Sequence, residues 1–398
     1  MAQRLVSFGT DGTVFDRGDA RRPAQPPVPA TPAALPLLVM EGVRKEGRRG
    51  EGQALAWLDL QVMRGEMVTL LGPAGAGKSV ALDLVAGFLE PDGGRLLIKG
   101  EKQAGVPTWR RDIGLVSGAS DLFPEMTVLG NAAFALEARG VARAEREERA
   151  GAMLERLGVP PSLSAERPAG LPLPVAMRVA LARALVHEPA LLLLDDPLGA
   201  LAGEEREALA ADLARLHRAL GLTVLHATRD AALALALSDR VAVLEGGTLR
   251  QAGTPRDLYE RPADPLVAAL TGPCNRLGGR VVSLEDGLCR VRLDCGPIVE
   301  GLPVTGPEGS PRPGGRCLLV IRPEAVAVAP LSAEEMGEDA LPARLVENRF
   351  AGGHLRLRLE VGEGGELLAH RPPDLALPAV GEDAALAWAL AAARVYPA

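Results

Sequence analysis

The sequence predicts an α/β core followed by a smaller β-rich domain, and three observations carry that expectation. An apolar strand runs into a glycine-rich turn and then a helix in GEMVTLLGPAGAGKSVALDL, residues 65–84. Strand-like and helix-like stretches alternate from there to about residue 253, the pattern of a mainly parallel sheet with helical crossovers. Past about Leu270 the period falls to two in GGRVVSLEDGLCRVRLDC, RCLLVIRPEAVAV and HLRLRLEV, short strands cut by Gly and Pro turns. At 398 residues the chain exceeds one ordinary core.

Each segment follows from local chemistry. Met1 to Pro36 contains RRPAQPPVPATPAALP with few large apolar side chains, so residues 1–36 are expected to form a disordered tail. It lacks the basic start and continuous apolar stretch of a leader peptide. LLVMEGVRK and LAWLDLQV read as strands, and the unit from Gly65 to Gly94 as strand, phosphate-binding turn, helix and terminating turn. Thr127 can cap TVLGNAAFALEA, and ARAEREERAGAMLERLG gives a second helix ending at Gly158. LPLPVAMRVALARAL, residues 171–185, is a helix opened by two prolines, and Leu191–Asp196 is a strand. Leu209, Leu213, Leu216 and Leu220 fall on one helical face. LTVLHA and RVAVLEGGTLRQAG return to strand. The expected domains are therefore 37–269 and 270–398. The two halves of the β-rich segment could be related units, although no repeat is evident.

Composition narrows the function. The chain is 47% hydrophobic but only 3% aromatic, a globular composition built on Ala and Leu. No apolar run approaches the roughly 18 residues a bilayer span needs, so a membrane role must come through a partner and the expected compartment is the cytoplasm. A net charge of -7 with scattered arginines gives no reason to expect nucleic acid. Cys274, Cys289, Cys295 and Cys317 form no CxxC pair and read as isolated packed thiols rather than metal ligands, and the five histidines are dispersed.

The chemistry begins at GPAGAGKS, residues 72–79, which fits GxxxxGK[ST] between a strand and a helix. Glycine is required because the backbone must curl to aim successive N–H groups at phosphate oxygens, which Cβ atoms would obstruct. The expected nucleotide site is Gly72, Pro73, Ala74, Gly75, Ala76, Gly77, Lys78, Ser79 and Val80. Lys78 would reach the terminal phosphates and Ser79 would hold Mg²⁺. Lysine occurs at only four positions, which makes a chance match in this strand-to-helix context improbable. LLLLD, ending at Asp195, supplies the apolar strand with a terminal carboxylate that completes the metal site, so Ser79 and Asp195 are the expected Mg²⁺ residues.

The order LLGPAGAGKS, RRDIGLV, ASDLFPEMTVLGNAAFAL, RVALARALVHEPALLLLDDPLGAL and SDRVAVLEGGTLRQAGTPRDLYERP resembles the ATP-binding subunits of ABC transporters, in particular the importers of polyamines, sugars or ferric iron. LTGPCNRLGGRV and VIRPEAV resemble that group's appended TOBE domain. The resemblance covers Leu37 to the C-terminus. It implies a P-loop NTPase core with a helical insertion and an antiparallel β subdomain, followed by an OB-like domain. It implies ATP and Mg²⁺ as cofactors. The implied partners are integral membrane permease subunits, a second ATP-binding subunit forming a homo- or heterodimer, and indirectly a periplasmic solute-binding protein. It implies a peripheral location on the inner face of the cell membrane, and it places the permease contact at ASDLFPEMTV.

Against that family pattern several positions depart. The family's LSGGQ segment faces the partner's nucleotide at a helix start, and here that place reads LPLPV, residues 171–175. Pro172 and Pro174 have no N–H, and Leu173 sets a side chain where backbone must meet phosphate, although proline is tolerated in a first turn. Two lost charge-assisted hydrogen bonds at ~1.5 to 3 kcal/mol each would weaken closure around ATP by a few orders of magnitude. Gly118 stands where the family has glutamine, Asp196 where it has the catalytic glutamate, Arg229 where it has the histidine that contacts the γ-phosphate, and Ala202 where it has the aspartate of SALD. EGRRGEGQ offers no aromatic for adenine stacking. A displaced general base can forfeit ~10² to 10⁴ in rate. Asp196 and Arg229 remain candidates for slow turnover. Two functions follow as expectations: a subunit that couples ATP binding, with weak hydrolysis, to solute import, of spermidine/putrescine type; or an impaired, regulatory or scaffolding pseudo-ATPase.

Overall fold

The computed structural model describes residues 35–47, 53–118, 121–306, 309–331 and 341–398. The tail expected over 1–36 lies outside the described residues apart from Leu35 and Pro36, as do most of EGRRGEGQ and the first two residues of ASDLFPEMTV. The described residues divide into two compact units between Leu258 and Tyr259.

In the first unit the chain runs β1 (Leu38–Glu46), β2 (Gln53–Val62), β3 (Met67–Leu71), α1 (Lys78–Ala86), β4 (Gly93–Ile98), β5 (Glu101–Lys102) and β6 (Ile113–Val116). It continues through α2 (Val128–Glu137), α3 (Arg143–Arg156), α4 (Leu173–Leu185), β7 (Leu191–Asp195), α5 (Gly203–Leu220), β8 (Val224–Thr228), α6 (Ala231–Leu237), β9 (Arg240–Glu245) and β10 (Thr248–Gly253). The strands form one ten-stranded sheet in the order β5-β4-β1-β2-β10-β9-β3-β8-β7-β6. β9, β3, β8, β7 and β6 are parallel neighbours. β3 and β8 are buried at every position, as strands covered on both faces must be. β1, β2, β4 and β5 pair antiparallel as a wing. The wing joins the core through β10, which returns from β9 by the two-residue turn Gly246-Gly247, both at positive φ.

The helices behave as their sequences dictate. The Thr127 side chain accepts from the Gly130 N–H at the start of α2, and α3 turns Ala150, Met153 and Leu154 inward from a surface of Arg and Glu. Both pack with α4 and with Leu209, Leu213 and Leu216 of α5 in one apolar cluster. Leu220 departs from the expected stripe and is 38% exposed, because the helix ends there.

The second unit places the domain border eleven residues before the expected 269/270. After α7 (Pro255–Glu260), α8 (Pro265–Thr271) packs Ala268 against Val320 and Tyr396 of the β-rich unit, and Arg322 donates to the Ala268 carbonyl at 2.8 Å. The expected border follows the onset of the alternating strand pattern near Leu270, whereas the apolar partners of α8, just before it, lie in the β-rich unit. The strands are β11 (Asn275–Glu285), β12 (Leu288–Leu293), β13 (Ile298–Pro303), β14 (Arg316–Ile321), β15 (Ala327–Pro330), β16 (Leu341–Phe350), β17 (Leu355–Val361), β18 (Gly365–Arg371), β19 (Asp383–Ala387) and β20 (Ala393–Pro397). β11-β12-β13-β20-β14 close a barrel, and β15-β19-β16-β17-β18 form a second sheet. The β-rich segment does not divide into two consecutive halves: the barrel takes its fifth strand, β20, from beyond the second sheet, which is inserted between β14 and β20. Cys289, Cys295 and Cys317 are free thiols buried in the core shared by barrel and sheet, and burial pushes Cys317 up to about 11.

Candidate functional site

Three parallel strands end side by side and carry the site. Leu71, the last residue of β3, pairs with Thr228, the last of β8, and Asp195, the last of β7, pairs with Ala227. Gly72, Asp196 and Arg229 are therefore the first residues beyond neighbouring strand ends, which is where open α/β sheets bind ligands.

The loop from Gly72 to Gly77 is shaped by close approach. A Cβ on Gly72 would lie 2.2 Å from the Leu244 carbonyl oxygen, and one on Gly77, at φ 94°, would lie 2.6 Å from that of Ala54. Gly75, at φ 77°, has open space beyond it, and Pro73 and Ala74 are exposed. Ala76 is buried and Val80 packs on the core, so the loop is anchored from beneath. Ala81 N–H bonds the Gly77 carbonyl at 2.9 Å, which leaves the N–H groups of Lys78, Ser79 and Val80 open at the tip of α1. A backbone cradle that excludes Cβ atoms and presents donors fits a phosphate chain.

The polar side chains converge on that tip. Lys78 Nζ donates to the carbonyls of Gly72 and Pro73, each at 2.8 Å. Burial, then the charge of Arg229, holds its ammonium below the ordinary lysine pKa, while Asp195 and Asp196 pull the other way. Ser79 Oγ donates to Asp195 Oδ1 at 3.1 Å, so hydroxyl and carboxylate meet although 116 residues separate them. These oxygens fit a hard cation such as Mg²⁺. Arg229 is exposed and makes no hydrogen bond or ion pair with the described residues.

Asp196 is held in a strained posture. It adopts φ 48°, accepts the Thr228 hydroxyl on Oδ1 at 2.7 Å, and lies where a Cβ on Gly199 would be 2.7 Å from its Oδ2. A serine at 199, as in the family's SALD, would press on this carboxylate, so the substitutions at 196 and 199 fit one another.

At the other candidate face, the Pro172 carbonyl takes both the Val175 and Ala176 N–H groups at 3.0 Å, and Pro174 adds no donor. Leu173, the first residue of α4, is 41% exposed. The helix stands on its buried face, from Ala176 and Met177 to Leu185, while its tip has little to offer an anion. Ala202 precedes α5 without a capping side chain. Beside Gly118, Ser117 is tied to Asp121, which accepts its N–H at 3.3 Å and also its hydroxyl.

Three supports escape sequence reasoning. Buried Arg111 donates to the Leu84 and Val85 carbonyls at 2.8 and 3.1 Å, closing the C-terminal end of α1. Buried Asn131 accepts from Phe123 N–H at 2.8 Å and donates to the carbonyls of Phe123 and Thr127, which holds the turn before α2. Thr228 orients Asp196 as above. The one available signal was a polar residue inside an apolar pattern.

Residues 55–199 match the ABC transporter family model and residues 319–395 the TOBE domain model. A spermidine/putrescine import ATP-binding protein of Frankia alni is 40% identical over 344 residues, covering 85% of this chain and 73% of its own. A Fe(3+) ions import ATP-binding protein of Agrobacterium fabrum is 35% identical, covering 82% and 88%. Among solved structures, an ATP-binding cassette in a dimeric post-hydrolysis state bound to ADP and Pi superposes with a TM-score of 0.51 at 28% identity, over 55% of this chain and 99% of that one.

Proposed function

The chain belongs to the ATP-binding subunits of ABC importers, and on that premise we propose that it binds Mg-ATP on residues 72–80 and passes the binding energy to permease partners, with hydrolysis slow or absent. Ser79 and Asp195 hold the metal, and Lys78 with the open N–H groups of α1 holds the phosphates. The bound metal spreads the charge of the terminal phosphates. A second ATP-binding subunit, a periplasmic solute-binding protein behind the permease, and a seat on the inner face of the membrane complete the assignment. The cargo class we assign is polyamine, supported by the 40% identity to a spermidine/putrescine import subunit against 35% to a ferric one.

The observation that carries slow turnover is the tip of α4. With Pro172 and Pro174 lacking N–H groups and those of Val175 and Ala176 already bonded to the Pro172 carbonyl, this helix start has few donors to offer as the second wall of a nucleotide sandwich. Asp196, fixed by Thr228 and a methylene shorter than glutamate, is poorly placed to activate water. The same substitutions favour a second reading, a regulatory subunit that binds nucleotide without consuming it.

The test is ATP hydrolysis by the purified chain, alone and with its permease, at saturating Mg-ATP beside Lys78→Ala. We expect nucleotide binding that Lys78→Ala abolishes, with turnover at least ~10²-fold below a competent relative. Robust Lys78-dependent turnover refutes the slow-hydrolysis assignment, and none at all with permease present selects the regulatory reading.

A further inference from the structure

The second unit holds a cavity of about 520 Å³ on the outer side of its barrel, within the range of metabolite-sized sites. Val320 of β14 and Arg394 of β20, which are register partners, both line it. Ala393 and Val395 on either side of Arg394 belong to the barrel core, so strand alternation turns the arginine outward. Three alanines, Ala389, Ala391 and Ala392, add an uncharged wall.

The charged groups of this cavity are unequally provided for. Arg322 is fully engaged: its guanidinium stacks 4.0 Å over the Tyr259 ring and donates to the carbonyls of Tyr259, Ala268 and Gly272 and to the Thr271 hydroxyl. The Tyr259 hydroxyl in turn donates to Glu324 at 2.5 Å. Arg394 differs. Its side chain makes no hydrogen bond or ion pair with the described residues, and the Nε is shut off from solvent without a partner. A buried donor left unpaired is costly, and a half-buried guanidinium without a carboxylate invites one. Three arginines against two glutamates leave the lining with positive charge in excess.

We propose that this cavity binds a small organic anion, a carboxylate or phosphate ester, with its acid group on Arg394 and its carbon body against the three alanines. The planar guanidinium suits either acid group through paired N–H donors. The alanine wall and the volume favour a ligand with an aliphatic body over a bare ion. The site is independent of residues 72–80 and adds a second, non-nucleotide ligand to the chain.

Isothermal titration of the full chain at fixed ionic strength decides it, with citrate, 3-phosphoglycerate and inorganic phosphate as probes. Citrate or 3-phosphoglycerate should bind wild type and Lys78→Ala alike, inorganic phosphate should bind more weakly, and Arg394→Gln should weaken binding by about tenfold or more. Ala391→Phe, at an exposed position, fills the cavity and should do the same; it decides alone where Arg394→Gln fails to fold. The proposal is overturned by silence from both organic anions, by unchanged affinity in Arg394→Gln or Ala391→Phe, by inorganic phosphate binding as tightly, or by loss in Lys78→Ala, which would put the anion on the nucleotide loop.

Discussion

His226 shows what a single residue contributes in the centre of the sheet. It is fully buried on β8, its Nδ1 lies 3.1 Å from the Thr69 hydroxyl, its Nε2 has no partner, and burial pushes its pKa down to about 4. The folded protein keeps this ring neutral, whereas the unfolded chain protonates it near the ordinary 6.5. Its contribution is therefore complete above pH 6.5 and is lost as pH falls towards 4, a loss on the order of 3 kcal/mol. Thermal unfolding followed across that window should fall less steeply for His226→Leu than for wild type. A residual slope remains from His187, whose pKa burial also lowers to about 4. At the nucleotide loop, Thr228→Val should release the Asp196 carboxylate from its 2.7 Å bond. Expected is a change in ATP turnover with nucleotide affinity left within about twofold, since the hydroxyl bonds no group of residues 72–80.

At the scale of the element, the start of α4 and the turn before α2 invite opposite experiments. Replacing Pro172, Leu173, Pro174 and Val175 by Ser, Gly, Gly and Gln restores N–H groups to the helix tip. Sedimentation with Mg-ATP should then show a nucleotide-dependent dimer stronger than in wild type, and the added glycines should lower helix stability by ~1 kcal/mol each. Asn131→Ala strips three partners from the turn at Phe123–Thr127 and should cost about 2 to 4 kcal/mol by urea unfolding. The two elements also mark the reach of sequence reasoning. The glycine loop, the Thr127 cap and the proline-opened helix were legible because their causes lie within a few residues. Asn131, Arg111 and Thr228 were not, because a buried polar side chain is explained by acceptors that only the folded chain brings near.

For the whole molecule, the two units differ in how their parts are drawn from the chain. The first closes around strands whose order sequence alternation could anticipate in class, though not in neighbour sequence. The second depends on contacts over long separations, which no local pattern reports: β20 seals the barrel against β13 and β14, and α8 joins it rather than the α/β core. Deleting residues 393–398 should abolish the calorimetric transition of the second unit while leaving that of the first and its nucleotide binding in place. Because β20 follows the whole second sheet in chain order, the edges of β13 and β14 that it pairs with stay open until that sheet has been made. A chain broken off before residue 393 therefore carries a folded nucleotide domain beside a β unit with two unpaired strand edges, which cellular proteases can recognise. Barrel closure thus makes the shelter of the first-made strands conditional on the later ones.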